Sequence, residues 1–291
     1  MNLQDKRVLV TGASGGIGRA LVSKLLNEGA QVLLSGRDRA AMSKLVSDHV
    51  EGERAAVFAA DISNALDRAR LCDFASHWRG GIDILINNAA VSDFGFLAAE
   101  SAEAVDVAVA TNLIARIDLC RRLIPRLELN EDAHIVNIGS VFGNIGFAGN
   151  SVYCATKFGL RGFSEALRRE LADTRIRVHY FAPRATRTAF NSDLVNDLNE
   201  ELGNAMDTPA EVARLIVRAL QADKMEAVIG WPEKLFARLN ALLPRLVDRA
   251  LIEKLATIRD FASRTPLPPA PVPRSAPALI ASSTARARKA S

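Results

Sequence analysis

The sequence predicts an α/β fold: a doubly wound, seven-stranded parallel sheet with helices on both faces, continued by a C-terminal amphipathic helical extension. Three observations carry it. From residue 7 onward, short β-branched or Leu-rich runs alternate with longer segments of helical periodicity, the pattern of repeated βαβ units. The interior runs are apolar on both faces, as strands covered by helices on both sides must be. The first run ends in a glycine-rich turn that opens a helix.

Seven strands are predicted: RVLVTG (7–12), QVLLSG (31–36), AAVFAAD (55–61), IDILINNA (82–89), HIVNIGS (134–140), RVHYFAP (177–183) and EAVIG (226–230). A helical segment follows each of the first six. Thr208-Pro209-Ala210-Glu211 marks a helix over 208–222, with Thr as N-cap, Pro at the first helical position and Glu at the capping-box position. The polar stretch 189–206 before it, rich in Asn and Asp, is expected to be an adjustable loop-helix element able to cover a site. After Trp231-Pro232, Leu235, Leu239, Leu242, Leu246, Leu251, Leu255 and Ile258 recur at mostly three- and four-residue spacing, predicting an amphipathic helix pair broken at Pro244.

In the 291-residue chain, hydrophobic residues make up 49% and charged residues 24%, the balance of a globular protein. The net charge of +4 sits at the C-terminal end, where residues 263–291 hold five basic and no acidic side chains. Residues 1–262 then carry 32 basic and 33 acidic groups, so no nucleic-acid-binding surface is expected. Cys72, Cys120 and Cys154 lack metal-ligand spacing, and an odd count argues against a disulfide framework, so a reducing cytoplasm is expected. His49, His77, His134 and His179 are scattered without metal spacing, and no metal is expected. No signal-type apolar core and no run of 18 apolar residues is present, so no membrane span is expected.

Thr11-Gly12-Ala13-Ser14-Gly15-Gly16-Ile17-Gly18 follows the first strand and opens a helix. Glycines there let the backbone approach a pyrophosphate and let the helix pack on the strand, so Gly12, Ser14, Gly16, Ile17 and Gly18 are candidate dinucleotide contacts. The text at the end of the second strand is Ser35-Gly36-Arg37-Asp38. No acid occupies the strand end to bind a ribose hydroxyl, and Arg37 is placed for a bidentate contact with a 2′-phosphate. Asp38, one residue on, can instead cap the next helix. NADP(H) is the expected cofactor, with NAD(H) the alternative.

Tyr153 and Lys157 stand four apart on the helix after the fifth strand, which stacks them on one face. A free tyrosine titrates near pH 10, so acid/base work near neutrality needs roughly 4 kcal/mol of preferential stabilisation of the phenolate. An adjacent ammonium can supply much of it. Ser140 ends the fifth strand, in the crevice where doubly wound folds bind ligands.

With Thr11 to Gly18, Asn87-Asn88-Ala89-Ala90, Asn112, Ser140, Tyr153 and Lys157 in this order, the chain resembles the short-chain dehydrogenase/reductase family over residues 5 to about 230. The resemblance implies a Rossmann-type fold and hydride transfer between NADP(H) and a carbonyl or secondary alcohol. By it, Tyr153 donates the proton, Lys157 holds the nicotinamide ribose and lowers the Tyr pKa, Ser140 polarises the substrate oxygen and Asn112 supports a water relay. Asp61 and Ile62 contact the adenine, Asn88 and Ala89 line the cofactor cleft, and Pro183, Thr186 and Thr188 embrace the nicotinamide end. Plainer readings stand beside these: Asp61 as a helix cap, Asn112 satisfying backbone, Thr188 as a turn residue. Ala90 replaces the usual last Gly of its motif, and Arg184 stands where Pro-Gly is usual.

The expected organisation is a dinucleotide-binding and catalytic unit over 1–232, an amphipathic extension over 233–262 and a disordered basic Pro/Ala-rich tail over 263–291. The extension carries six basic and four acidic residues. Its composition fits a cover over the cleft or a subunit contact first, and a peripheral membrane contact second. A homodimer or homotetramer reducing an apolar or lipid-like ketone is the leading expectation. A cofactor-binding regulatory or scaffold protein on the same fold is the alternative.

Overall fold

All seven predicted strands form. In chain order the elements are β1 (Arg7–Thr11), α1 (Gly16–Asn27), β2 (Gln31–Gly36), α2 (Arg39–Ser47), β3 (Ala55–Ala59), α3 (Ala65–His77), β4 (Ile84–Asn87), α4 (Ala102–Val109), α5 (Ala115–Leu127), β5 (Ala133–Ile138), α6 (Ser151–Glu170), β6 (Ile176–Pro183), α7 (Asp193–Glu201), α8 (Pro209–Gln221), β7 (Glu226–Ile229), α9 (Glu233–Leu242), α10 (Pro244–Ile252) and α11 (Leu255–Ser263). This computed structural model describes residues 1–49 and 52–264; the expected tail, from 265 on, lies outside the described residues.

The sheet is parallel throughout, in the order β3-β2-β1-β4-β5-β6-β7. Period-two alternation divides each inner strand between two cores. Val8, Val10, Val32, Leu34, Ile84 and Ile86 pack with Leu21 and Leu25 of α1 and Val212 and Ile216 of α8. Leu9, Leu33, Leu85, Ile135 and Val178 face the other way, onto Leu71 of α3 and Leu119 and Leu123 of α5. Each such side chain contributes about 1.5–3 kcal/mol by leaving water. β3 departs from the doubly buried pattern because it is the sheet edge, and its five residues remain partly exposed.

The strand order reverses between β1 and β4, so the connections leaving their carboxyl ends diverge to opposite faces and open a crevice. Two local expectations change and one is met. Thr208 caps α8 by accepting from the Glu211 amide at 3.2 Å, but the Glu211 carboxylate turns forward to Arg214 at 2.7 Å instead of closing a capping box. Pro244 breaks the extension as expected, yet a second break at Glu253-Lys254 makes three helices of the anticipated pair. The polar stretch before α8 does contain a helix, α7, started by the Ser192 hydroxyl. Among the described residues no helix is long and apolar enough to cross a membrane.

Candidate active site

The crevice holds about 2070 Å³. Typical ligand pockets are about 300–1,000 Å³, so it has room for a dinucleotide and a substrate together. Every site residue expected from the sequence lines it except Asn112.

The glycine turn is dictated by crowding. Gly12 has a φ of +65°, and a Cβ there would lie 2.6 Å from the Ala89 Cα, so β1 and the loop after β4 approach each other only through a glycine. A Cβ at Gly18 would meet the Gly12 carbonyl oxygen at 2.0 Å, which fixes α1 against its own turn. No side chain among the described residues caps α1, which leaves its first backbone N–H groups for an anion. Asn88 locks this turn in place: its side-chain amide donates to the carbonyls of Thr11 and Gly12 at 3.0 and 3.2 Å. The Thr11 hydroxyl in turn accepts from the amides of Asn88 and Ala89.

At the end of β2, Arg37 is exposed and has no ion pair or hydrogen bond among the described residues. Asp38 is spent as the N-cap of α2, accepting from the Ala41 amide at 2.9 Å. Across the crevice, one Asp61 oxygen accepts from the Ser63 amide and hydroxyl at 2.9 and 2.7 Å, so Asp61 shapes the turn before α3 while Asn64 caps that helix. Ile62 is buried at the same wall.

Tyr153 and Lys157 occupy successive turns of α6, with the Lys157 ammonium 5.3 Å from the centre of the Tyr153 ring. Lys157 is buried and donates to the Ile138 carbonyl at 3.2 Å. Ser140, at the end of β5, accepts from the Phe142 amide at 3.1 Å. Asn112 lies in a π-helical turn, Ala110–Ile114, between α4 and α5, a deformation that recurs at functional sites. Its carboxamide accepts from the Val91 amide at 2.9 Å and donates to the Val91 carbonyl at 2.8 Å. It therefore pins the loop after β4, the backbone-satisfying role.

The electrostatics differ from the simple expectation of an ammonium lowering a phenol. Burial pushes the Tyr153 phenol up to about 12, opposed by the Ser140 side chain and the Arg116 charge. Burial, with Arg116 nearby, also holds the Lys157 ammonium well below the ordinary lysine range. The cation whose charge opposes the rise of the phenol is Arg116. Sequence reasoning passed over this residue. Arg116 is fully buried on α5, where it donates to the carbonyls of Ile138 at 2.7 Å, Ala89 at 2.6 Å and Asn88 at 3.4 Å. It ties the ends of β4 and β5 together. The one trace of it in the sequence is position: it falls on the apolar stripe of Leu119, Cys120 and Leu123 at helical spacing. Arg19, on α1 beside the glycine turn, was also missed; it faces the crevice and donates to the Ser14 carbonyl at 2.8 Å.

Residues 6–199 match the family model for short chain dehydrogenases. The chain belongs to the short-chain dehydrogenase/reductase family. It is 31% identical over 255 residues to the ketoacyl reductase HetN of Nostoc sp., which spans 85% of this chain and 88% of that protein. Over 215 residues it is 31% identical to the 3-oxoacyl-(acyl-carrier-protein) reductase FabG of Vibrio cholerae, covering 74% and 86% of the two chains. A short-chain dehydrogenase from Sphingobium yanoikuyae solved with NADPH superposes with a TM-score of 0.70 at 26% identity, over 85% of this chain and 95% of that one. A family structure from Burkholderia phymatum solved with NAD gives a TM-score of 0.77 at 23% identity, over 84% and 96%. This short-chain dehydrogenase is thus an oxidoreductase of CH–OH groups that uses a nicotinamide dinucleotide, and the glycine cradle fits one.

The far end of this dehydrogenase's crevice is built by the segment after β6. Pro183 is buried at the end of β6, the Thr186 hydroxyl donates to the Arg184 carbonyl, and the Thr188 hydroxyl accepts from the Phe190 amide at 3.3 Å, a turn role. Thr188 also fills the space a Cβ at Gly16 would take, 2.4 Å from its methyl. Arg184, the departure from Pro-Gly, does not leave a free charge beside the nicotinamide end. Its guanidinium pairs with Asp207 at 2.6 Å and Glu233 at 3.2 Å and donates to the Trp231 carbonyl, joining the segment after β6 to the start of α9. Ala90 lines the crevice.

The extension covers this end. Ala237 and Val247 pack on Val141 and Ile145, and Ile258 and Phe261 of α11 pack on Leu198 of α7. Phe142 and Phe190 approach the Tyr153 ring at 6.4 and 6.1 Å, and Phe147 stacks on Phe142 at 5.0 Å.

Proposed function

We propose that the enzyme reduces a ketone of an apolar, lipid-like substrate with NADPH, with Tyr153 as general acid. The observation that carries this reading is the setting of Tyr153: a protonated phenol beside Ser140 at the bottom of a pocket walled by Phe142, Phe147 and Phe190. A dinucleotide bound along the glycine turn supplies the hydride. Ser140 orients the carbonyl oxygen, and Tyr153 donates a proton to it as the oxygen gains negative charge. A phenol held above the neutral range is in the right state to donate. Lys157, with its Nζ near the end of β5, holds the ribose and restores the proton to Tyr153. Asn112 keeps the loop after β4 in place. Thr186 and Thr188 close the nicotinamide end, and Asp61 and Ile62 form the adenine wall.

The choice of NADPH rests on Arg37, exposed and unpartnered among the described residues, with Asp38 already used as a cap. A charge-assisted phosphate contact is worth about 1.5–3 kcal/mol, tenfold or more in binding. Wild-type kcat/KM is expected to favour NADPH over NADH, and Arg37→Ala is expected to lower the NADPH value by about tenfold or more while leaving the NADH value nearly unchanged. A wild-type preference for NADH overturns the assignment.

The outward side of the cover supports the lipid part. Leu242 and Leu246 are 78% and 55% exposed, with Arg238, Arg245 and Arg249 exposed around them. Such a face suits an anionic bilayer surface. The full chain is expected to co-sediment with phosphatidylglycerol vesicles, and the pair Leu242→Asp and Leu246→Asp to remain in the supernatant. Equal soluble fractions would remove lipid contact and leave this face to a second copy of the chain.

A further inference from the structure

We propose that His134, His179 and Asp223 form a zinc-class metal site at the amino-terminal edge of the sheet, opposite the catalytic crevice. His134 lies at the start of β5, and its register partner on β6 is Arg177, so His179, two residues on, shares its face. Both rings are fully buried, and their centres are 5.2 Å apart. They meet through His134 Nδ1 and His179 Nε2, 2.9 Å apart.

The outer contacts fix where the ring hydrogens sit. His134 Nε2 lies 3.0 Å from Asp132 Oδ1, and His179 Nδ1 lies 2.9 Å from the Lys224 carbonyl oxygen. A carboxylate and a carbonyl oxygen only accept, so each of those nitrogens carries the hydrogen of its neutral ring. The two nitrogens that face each other are then both bare. Two lone pairs at hydrogen-bond distance with no donor between them need a shared cation, a metal ion or an added proton.

Asp223 supplies the third arm. Its Oδ1 is buried without a hydrogen-bond partner and stands 4.0 Å from His179 Nε2. All three ligand atoms lie within 4.8 Å of one another. Zinc takes imidazole nitrogen and carboxylate oxygen at about 2.0–2.2 Å, which sets ligand atoms about 3.4 Å apart, so the two rings must part by about half an ångström and Asp223 swing in by about an ångström to surround one ion. Two imidazoles with one carboxylate select a zinc-type cation over magnesium or calcium, which prefer all-oxygen sets.

The outer shell is already built. Asp132 orients His134 and is itself held by Lys6 at 2.9 Å, and a main-chain carbonyl orients His179, the arrangement that fixes the tautomer of metal-bound histidines. Arg177 holds the other Asp223 oxygen at 3.2 Å and lies 3.9 Å from Asp132. The Asp132 and Asp223 side chains are 36% and 40% exposed, which gives an ion a path in. Such an ion would clamp β5, β6 and the turn after α8 together. No histidine spacing in the sequence announces this site, because the two rings meet only through sheet register.

The test uses tag-free full chain incubated with zinc chloride and then desalted. Wild type is expected to retain about one equivalent of zinc and to melt at a higher temperature than metal-stripped protein. Asp223→Asn keeps the turn, since Asn tolerates the positive φ of 52° there, and is expected to bind zinc about tenfold or more weakly with an unchanged melt in chelator. Cobalt(II) in place of zinc should give visible absorption bands in wild type that D223N lacks. Wild type that retains no zinc, or D223N that binds it as tightly as wild type, overturns the proposal; in the first case the two rings share a proton.

Discussion

Tyr153→Phe is expected to lower kcat for carbonyl reduction by about 10²- to 10⁴-fold, the usual worth of a positioned proton donor. The substitution is narrow. Phenylalanine keeps the ring against Phe142 and Phe190 and beneath the Lys157 ammonium, so NADPH affinity should stay nearly unchanged and the variant should fold. The pH profile carries a second readout with a defined sign. Burial pushes the Tyr153 phenol up to about 12, so the acid form needed for reduction is present throughout the neutral range and is lost only in strong alkali. Alcohol oxidation needs the phenolate and is expected to climb with pH across the same range. Stopped-flow or steady-state pH–rate profiles in both directions check this. Unchanged turnover in the Phe variant would overturn the mechanism and favour a cofactor-binding scaffold role.

Arg116→Met is expected to cost about 2–4 kcal/mol of stability, a drop of about 5–15 °C in Tm for a chain of this size. Two effects oppose each other here. Burying a cation without a carboxylate is unfavourable, and methionine relieves that. Against it stand the carbonyls of Ile138, Ala89 and Asn88, which lose a charged donor inside the protein; of the three, Ile138 keeps a side-chain donor, Lys157. Burial lowers the Arg116 pKa to about 10, still above neutrality, so the charge is present under working conditions. Its loss removes a cation that opposes the rise of the Tyr153 phenol, and the alkaline climb of alcohol oxidation should move to higher pH. Arg116→Lys, which keeps the charge, should retain more of both properties. A methionine variant as stable as wild type, with an unmoved pH profile, would remove Arg116 from this account.

Arg116 also shows where reading the sequence ends. The strands were legible because each is an apolar run between turn residues, and only their ends moved. Ala60 and Asp61 fall outside β3 because its partner β2 finishes at Gly36, opposite Ala59. Motif residues from Gly12 to Lys157 converge on one crevice because a doubly wound sheet sends every loop after a strand to the same edge. A charged residue on an apolar stripe, by contrast, is read as surface, although three main-chain carbonyls can hold it inside. The break at Glu253-Lys254 has neither proline nor glycine to announce it. Glu211 could serve Thr208 or Arg214 equally well by spacing, and in the structure the Arg214 guanidinium holds both its oxygens.

The cover of α9, α10 and α11 begins after the last strand and lies beyond the 6–199 stretch that matches the family. It lends Val247 and Leu251 to the crevice and nothing to the sheet. The aromatic lining of Phe142, Phe147 and Phe190 travels with the proton machinery inside the family stretch, whereas the roof over it is a later length of the same polypeptide. Exposed positions of that roof can drift in sequence more freely than Ala237 and Val247, which rest on Val141 and Ile145 beside Ser140.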